Sequence, residues 1–90
     1  MNNHDLRRLL ERIEREIKRT KTDDEKGREL LQHIEADIHA FRERPESEWL
    51  EPEESFVKRM NDVVDHFEIT HPTLTSMISQ MLNILNNAGI

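Results

Sequence analysis

Apolar residues recur at spacings of 4 and 3 in four separate stretches of this chain, and that repetition limits the fold more than any other feature. Leu6, Leu10, Ile13 and Ile17 form the first stripe, with Leu9 widening it. Gly27, Leu31, Ile34, Ile38 and Phe41 form the second, with Leu30 beside it. Phe56, Met60, Val63 and Phe67 form the third, flanked by Val57 and Val64. Leu74, Ile78, Met81, Leu85 and Ala88 form the fourth, with Met77, Leu82 and Ile84 spreading apolar area around it. Side chains three and four positions apart share one face of an α-helix. Each stretch therefore predicts an amphipathic helix that must bury one side. No alternating strand pattern or hairpin turn competes.

The breaks between stripes place the helices at about 4–19, 23–43, 53–68 and 72–88, with a linker at about 45–52, in one domain spanning 1–90. Asn2 or Asn3 suits the first cap. Thr22-Asp23-Asp24-Glu25 reads as a capping box, Thr22 at the cap and Glu25 reaching back. Gly27 either lets the first helix approach closely or is a weak point in the second. Pro45 ends the second helix, and Pro52 fits the first turn of the third, followed by Glu53 and Glu54 at the positive end of its dipole. Trp49 in the linker is either a lid folded over one end of the bundle or an exposed anchor for another chain. At Thr70-His71-Pro72-Thr73 the chain turns a corner, with Pro72 opening the last helix and Thr70 or His71 capping it; a kinked continuous helix is the alternative. Gly89 supplies a left-handed C-cap, with Ile90 closing a hydrophobic contact.

The fold class is thus all-α: short antiparallel helical hairpins in a bundle of about four segments. A folded monomer of 10.8 kDa exposes roughly 5,500 Å² and buries only about two-thirds of its unfolded surface. That thin margin, with the wide apolar faces of the third and fourth helices, predicts completion by homo-oligomerisation.

Charge is unevenly placed. Residues 1–45 balance eleven basic against eleven acidic groups, whereas 46–90 set only Lys58 and Arg59 against eight acids and carry the whole net charge of −6. Glu46, Glu48, Glu51, Glu53 and Glu54 crowd the linker. The last helix has no charged residue at all after Glu68. Arg8, Arg12, Arg15 and Arg19 fall within about 60° of one another opposite the first stripe, making a basic face. The i,i+4 arginine pairs in it repel mildly, so a counter-charge is expected, and residues 46–54 of a second copy are a candidate. Polyanion binding through this face, nucleic acid first, is the weaker functional alternative, because no aromatics accompany it and the chain is acidic overall.

Chemistry is sparse. His4, His33, His39, His66 and His71 are the nitrogen ligands, with no HExxH, no cysteine and no helical Glu-x-x-His pair; Glu68-Ile69-Thr70-His71 straddles the break before Pro72. Ser47, Ser55, Ser76 and Ser79 sit in no nucleophile-elbow pattern, and Gly27 and Gly89 make no phosphate loop. No catalytic, cofactor or metal residues are assigned, and a metal-dependent or acid/base enzyme is the remotest reading. The leading expectation is a non-enzymatic module for self-association or protein binding. Trp49, Phe56, Met60, Phe67, His71, Pro72, Leu74, Ile78, Met81 and Leu85 are its candidate contact residues. The absence of a run of about 20 apolar residues or a signal-peptide core predicts no membrane span and a cytoplasmic protein.

The tail from His66 through Phe67-Glu68-Ile69-Thr70-His71-Pro72-Thr73-Leu74-Thr75, continuing to Asn83-Ile84-Leu85-Asn86-Asn87-Ala88-Gly89-Ile90, resembles the C-terminal signature of a small bacterial family catalogued as domain of unknown function 4404. The specific part is the corner formed by Phe67, Glu68, His71, Pro72, Thr73 and Leu74. The resemblance implies a bacterial, soluble, helical protein, and transfers no catalytic residue, cofactor or ligand.

Overall fold

Four helices pack side by side in a ring: α1 (Asn3–Arg19), α2 (Glu25–Glu43), α3 (Glu54–Phe67) and α4 (Pro72–Ala88). This computed structural model describes residues 3–88. Each helix packs against two neighbours, α1 on α2 and α4, and α3 on α2 and α4. Short connections make all neighbours antiparallel, the up-down-up-down bundle. Helices of 14 to 19 residues are about 21–28 Å long, and with their end connections they fill a body of 37 × 22 × 22 Å.

The four predicted stripes are the core, Ala88 excepted, whose side chain lies outside the described residues. Leu10, Ile13, Ile34, Ile38, Met60, Val63, Ile78 and Met81 are fully enclosed, and the accessible surface is 5946 Å², close to the monomer scaling value. One chain closes this interior by itself. Charged fasteners span two of the four seams. Arg42 of α2 reaches Glu14 of α1 at 2.5 Å. Arg59 of α3 grips both carboxylate oxygens of Asp37 on α2, at 2.5 and 3.1 Å, and this pairing raises the Arg59 pKa further. Helix α4 has no charge to offer, so its seams with α1 and α3 are closed by apolar contact.

The linker is an ordered lid. A single 3-10 turn, Glu46–Glu48, swings Trp49 under the bundle, where it is 3% exposed. Its indole N–H donates to the Arg44 carbonyl at 3.0 Å. Trp49 stacks on Phe41 at 5.9 Å between centroids, and Phe41 on Phe56 at 4.8 Å. The lid reading of Trp49 therefore holds and the exposed-anchor reading does not. Pro52 stays outside α3: the first helical bond runs from Val57 N–H to Glu53 C=O, while Pro52 packs beside Leu50 and Val57.

At the opposite end, α2 begins at Glu25 rather than near 23, and the cap is Asp24, not Thr22. Asp24 Oδ2 accepts from Gly27 N–H at 3.1 Å, and the Thr22 hydroxyl accepts from Asp24 N–H at 3.2 Å. An aspartate at the cap satisfies the free amide directly, which leaves threonine to shape the preceding turn. The same Asp24 oxygen takes a hydrogen bond from His66 Nε2 on α3. That bond first, with the Gly27 amide assisting, holds the Asp24 carboxyl below its ordinary value of 3.8. Gly27 does permit a close approach, but of Phe67 on α3 rather than of α1: a Cβ there would meet Phe67 Cζ and Thr22 Oγ1 at 3.0 Å. Asn3 is already a residue of α1 and so is not its cap; the caps expected from Asn2, and from Gly89 with Ile90, lie outside the described residues.

Two outcomes follow from this end of the bundle. Gly27→Ala gains up to about 1 kcal/mol of helix propensity but sets a Cβ 3.0 Å from the enclosed Phe67 ring and the Thr22 hydroxyl, at a cost of about 1–3 kcal/mol. Denaturant titration should show a net loss of stability. Asp24 is more acidic folded than unfolded, so its ionised form stabilises the fold above its unfolded pKa, and this contribution disappears as pH falls through the folded value. Melting curves across pH 5 to about 2 should fall more steeply for the parent than for Asp24→Asn.

Candidate functional site

Most of the apolar residues expected to form an interface lie inside the chain's own core. Trp49, Phe56, Met60, Phe67, Leu74, Ile78, Met81 and Leu85 are all buried. Closing four stripes on one another consumed them. What the surface retains are the flanks of those stripes, and the two seams of α4 differ from the rest.

Helix α4 turns Thr73, Ser76, Gln80, Asn83 and Asn87 to solvent, all exposed and none ionisable. On its α3 side, Leu82, Asn83, Leu85 and Asn86 face Val57 and Asn61 across a groove of about 530 Å³, closed at one end by Leu50 and Pro52. Leu50, Val57 and Leu82 are half-buried and pack onto the core beneath. The floor of the groove is therefore apolar and its rim carries amides. The stripe-widening residues Val57 and Leu82 were the sequence signal for it. The asparagines carried no signal alone, because nothing in one helix says which groove it will edge.

On the α1 side of α4, Met77 lies with Arg12, Arg15, Lys18 and Arg19 around a second groove of about 410 Å³. Arg8, Arg12, Arg15 and Arg19 are all exposed, as the basic face requires. Arg19 pairs with Glu16 on its own helix at 2.7 Å. The expected counter-charge from 46–54 is partly spent within the chain: Glu46 pairs with Arg7, and Glu48 lies 3.8 Å from Arg44.

The His71-Pro72 corner is a fastening. Pro72 is the first residue of α4, and the break after Phe67 is a turn rather than a kinked helix, with His71 N–H bonded to Phe67 C=O at 2.7 Å. His71 Nε2 lies 2.8 Å from the Lys21 carbonyl, which only accepts, so that nitrogen carries the proton. Nδ1 lies 2.9 Å from the Thr70 hydroxyl, which can donate to it or accept from it. Phe67 sits edge-on between the two imidazoles, 4.8 Å from His66 and 5.0 Å from His71. Together the histidines tie α3 and the corner to the α1–α2 connection. Asp62, four residues before His66, is 3.7 Å from Lys58. Among the described residues no three His, Asp or Glu side chains stand together as a metal-binding group, and Thr75 is the polar residue found buried in the core.

With these surfaces in view, comparison with known proteins adds one finding. A family model described as Domain of unknown function (DUF4404) matches residues 6–90. No curated protein and no solved structure matches the chain.

The corner generates its own test. His71→Ala removes both ring hydrogen bonds, leaves the Lys21 carbonyl to solvent, and should cost about 1–2 kcal/mol. Amide exchange should quicken across residues 20–24, and nitrogen NMR of the parent should show the Nε2-protonated tautomer.

Proposed function

The chain belongs to the DUF4404 family, and from that premise we propose that it is a cytoplasmic, non-enzymatic module whose work is self-association through α4 and the α3–α4 groove. The observation that carries this reading is the charge-free outer strip of α4, bordered by the apolar floor of Leu82, Val57 and Leu50. Interface centres are depleted in charge, and the rest of this molecule is rich in it.

A second copy is the occupant that fits. Two molecules of net charge −6 repel wherever acidic surfaces meet, and α4 offers a contact without like charges. Each side-chain amide of Gln80, Asn83, Asn86 and Asn87 both donates and accepts, so a strip of them complements its own image across a two-fold axis. The α3–α4 groove is lined by apolar side chains and amides without an ionisable group, which supports binding over acid–base catalysis there. No helix among the described residues is long and apolar enough to cross a membrane.

Light scattering or sedimentation equilibrium on the intact chain decides the matter. A species of twice 10.8 kDa at micromolar concentration is expected. Leu82→Lys and Asn83→Lys, which place like charges across the contact, should return it to monomer while leaving helical circular dichroism intact. A parent that stays monomeric throughout that range overturns the reading.

A further inference from the structure

We infer that the α1–α4 groove is a docking surface for an acidic amphipathic helix of another protein, with carboxylates along Arg8, Arg12 and Arg15 and an apolar edge against Met77 and Ile84. It rests on a different face from the self-association strip and stands or falls separately. The first support is charge. Arg7, Arg19, Arg42, Arg44 and Arg59 each reach a carboxylate of this chain. Arg8, Arg12 and Arg15, together with Arg28 on α2, make no ion pair within the described residues, although acids outnumber bases nineteen to thirteen; only the three on α1 form a row. Adjacent arginines at i,i+4 repel, and the neighbouring helix α4 cannot neutralise them because it bears no charge. A row of aligned cations beside an uncharged wall is complementary to a line of carboxylates.

The second support is spacing. Arg8, Arg12, Arg15 and Arg19 repeat at 4, 3 and 4 positions, covering about 16 Å along α1. A helix laid along the groove presents its own i,i+4,i+7 carboxylates at the same rise and stays in step. An extended peptide repeats same-side groups about every 6.7 Å and drifts out of step within the row.

The third support is the floor. Met77 lies among the basic side chains, and Ile84, seven residues on, shares its side of α4 and is likewise half-buried. A phosphodiester backbone has no group to place against a thioether and an isoleucine, and the aromatics that stack on bases are in this chain buried: Trp49, Phe41, Phe56 and Phe67. An amphipathic helix has that apolar group, and groove docking is a common way for such a helix to bind.

Fluorescence anisotropy on the intact protein tests this. The probe is a labelled synthetic helix with leucines at i, i+4 and i+7 and glutamates flanking them. Two control peptides carry the same composition scrambled, or glutamine for every glutamate; duplex DNA and phosphatidylserine vesicles complete the set. Saturable, salt-sensitive binding of the patterned peptide is expected. It should weaken about tenfold or more with the glutamine peptide and in the doubly substituted Arg12→Glu, Arg15→Glu protein, and more modestly in Met77→Ser. Asn83→Lys, on the outer strip, should leave it unchanged. Circular dichroism checks that each variant is folded; both arginines are exposed. Absence of saturable peptide binding overturns the inference. So does equal binding of the scrambled peptide, or tighter arginine-dependent binding of DNA or vesicles.

Discussion

Burial of one face from each of four helices in a single shared interior is the constraint on which the rest of this molecule depends. Once Leu10, Ile13, Ile34, Ile38, Met60, Val63, Ile78 and Met81 are enclosed, every other residue's position around its helix is settled. Helix α1 is left with its arginines outward, α2 and α3 with residues that meet in ion pairs across their seams, and α4 with amides and hydroxyls. Function has to be sought in these remainders, because the core is occupied with holding itself together. The surfaces proposed for binding are the two grooves beside the one helix that has no charge to contribute.

The two ends of the bundle are closed by different chemistry. At one end an aromatic stack of Trp49, Phe41 and Phe56, with the indole N–H satisfied by Arg44, turns an acidic linker into a lid. At the other, polar groups converge on a short connection: His66 reaches Asp24, His71 reaches Lys21, and Phe67 is seated against Gly27 between the two rings. The first end is held chiefly by burial of its aromatic rings. The second depends on the ionisation of a carboxylate.

The helices and their inward faces were legible because a 4-and-3 repeat of apolar residues has one periodic solution. Pro72 opening α4 was legible too, since a proline suits only the first turn. What the chain did not announce were choices between chemically equivalent neighbours. Thr22 and Asp24 both suit a cap, and geometry selected the one whose carboxylate also met His66. Gly27 declared a close approach without naming Phe67, because helix adjacency belongs to the whole bundle. The same reason hid both grooves. Val57 and Leu82 were visible as surplus apolar width, which pointed to an unfinished surface, but not to each other. The core residues expected at an interface were misplaced on this account: width was evident, and the chain's capacity to enclose it alone was not.

Because α4 is joined to its neighbours without an ion pair, its attachment responds to the environment differently from that of α2. Apolar contact loses strength in the cold, whereas surface charge pairs weaken as salt rises. Cooling weakens the shared core everywhere, but α4 has no charged attachment besides it, whereas α1, α2 and α3 also keep the Arg42–Glu14 and Arg59–Asp37 pairs. Salt acts on the two seams that carry those pairs, and the groove walls formed by α4 have no charge to screen.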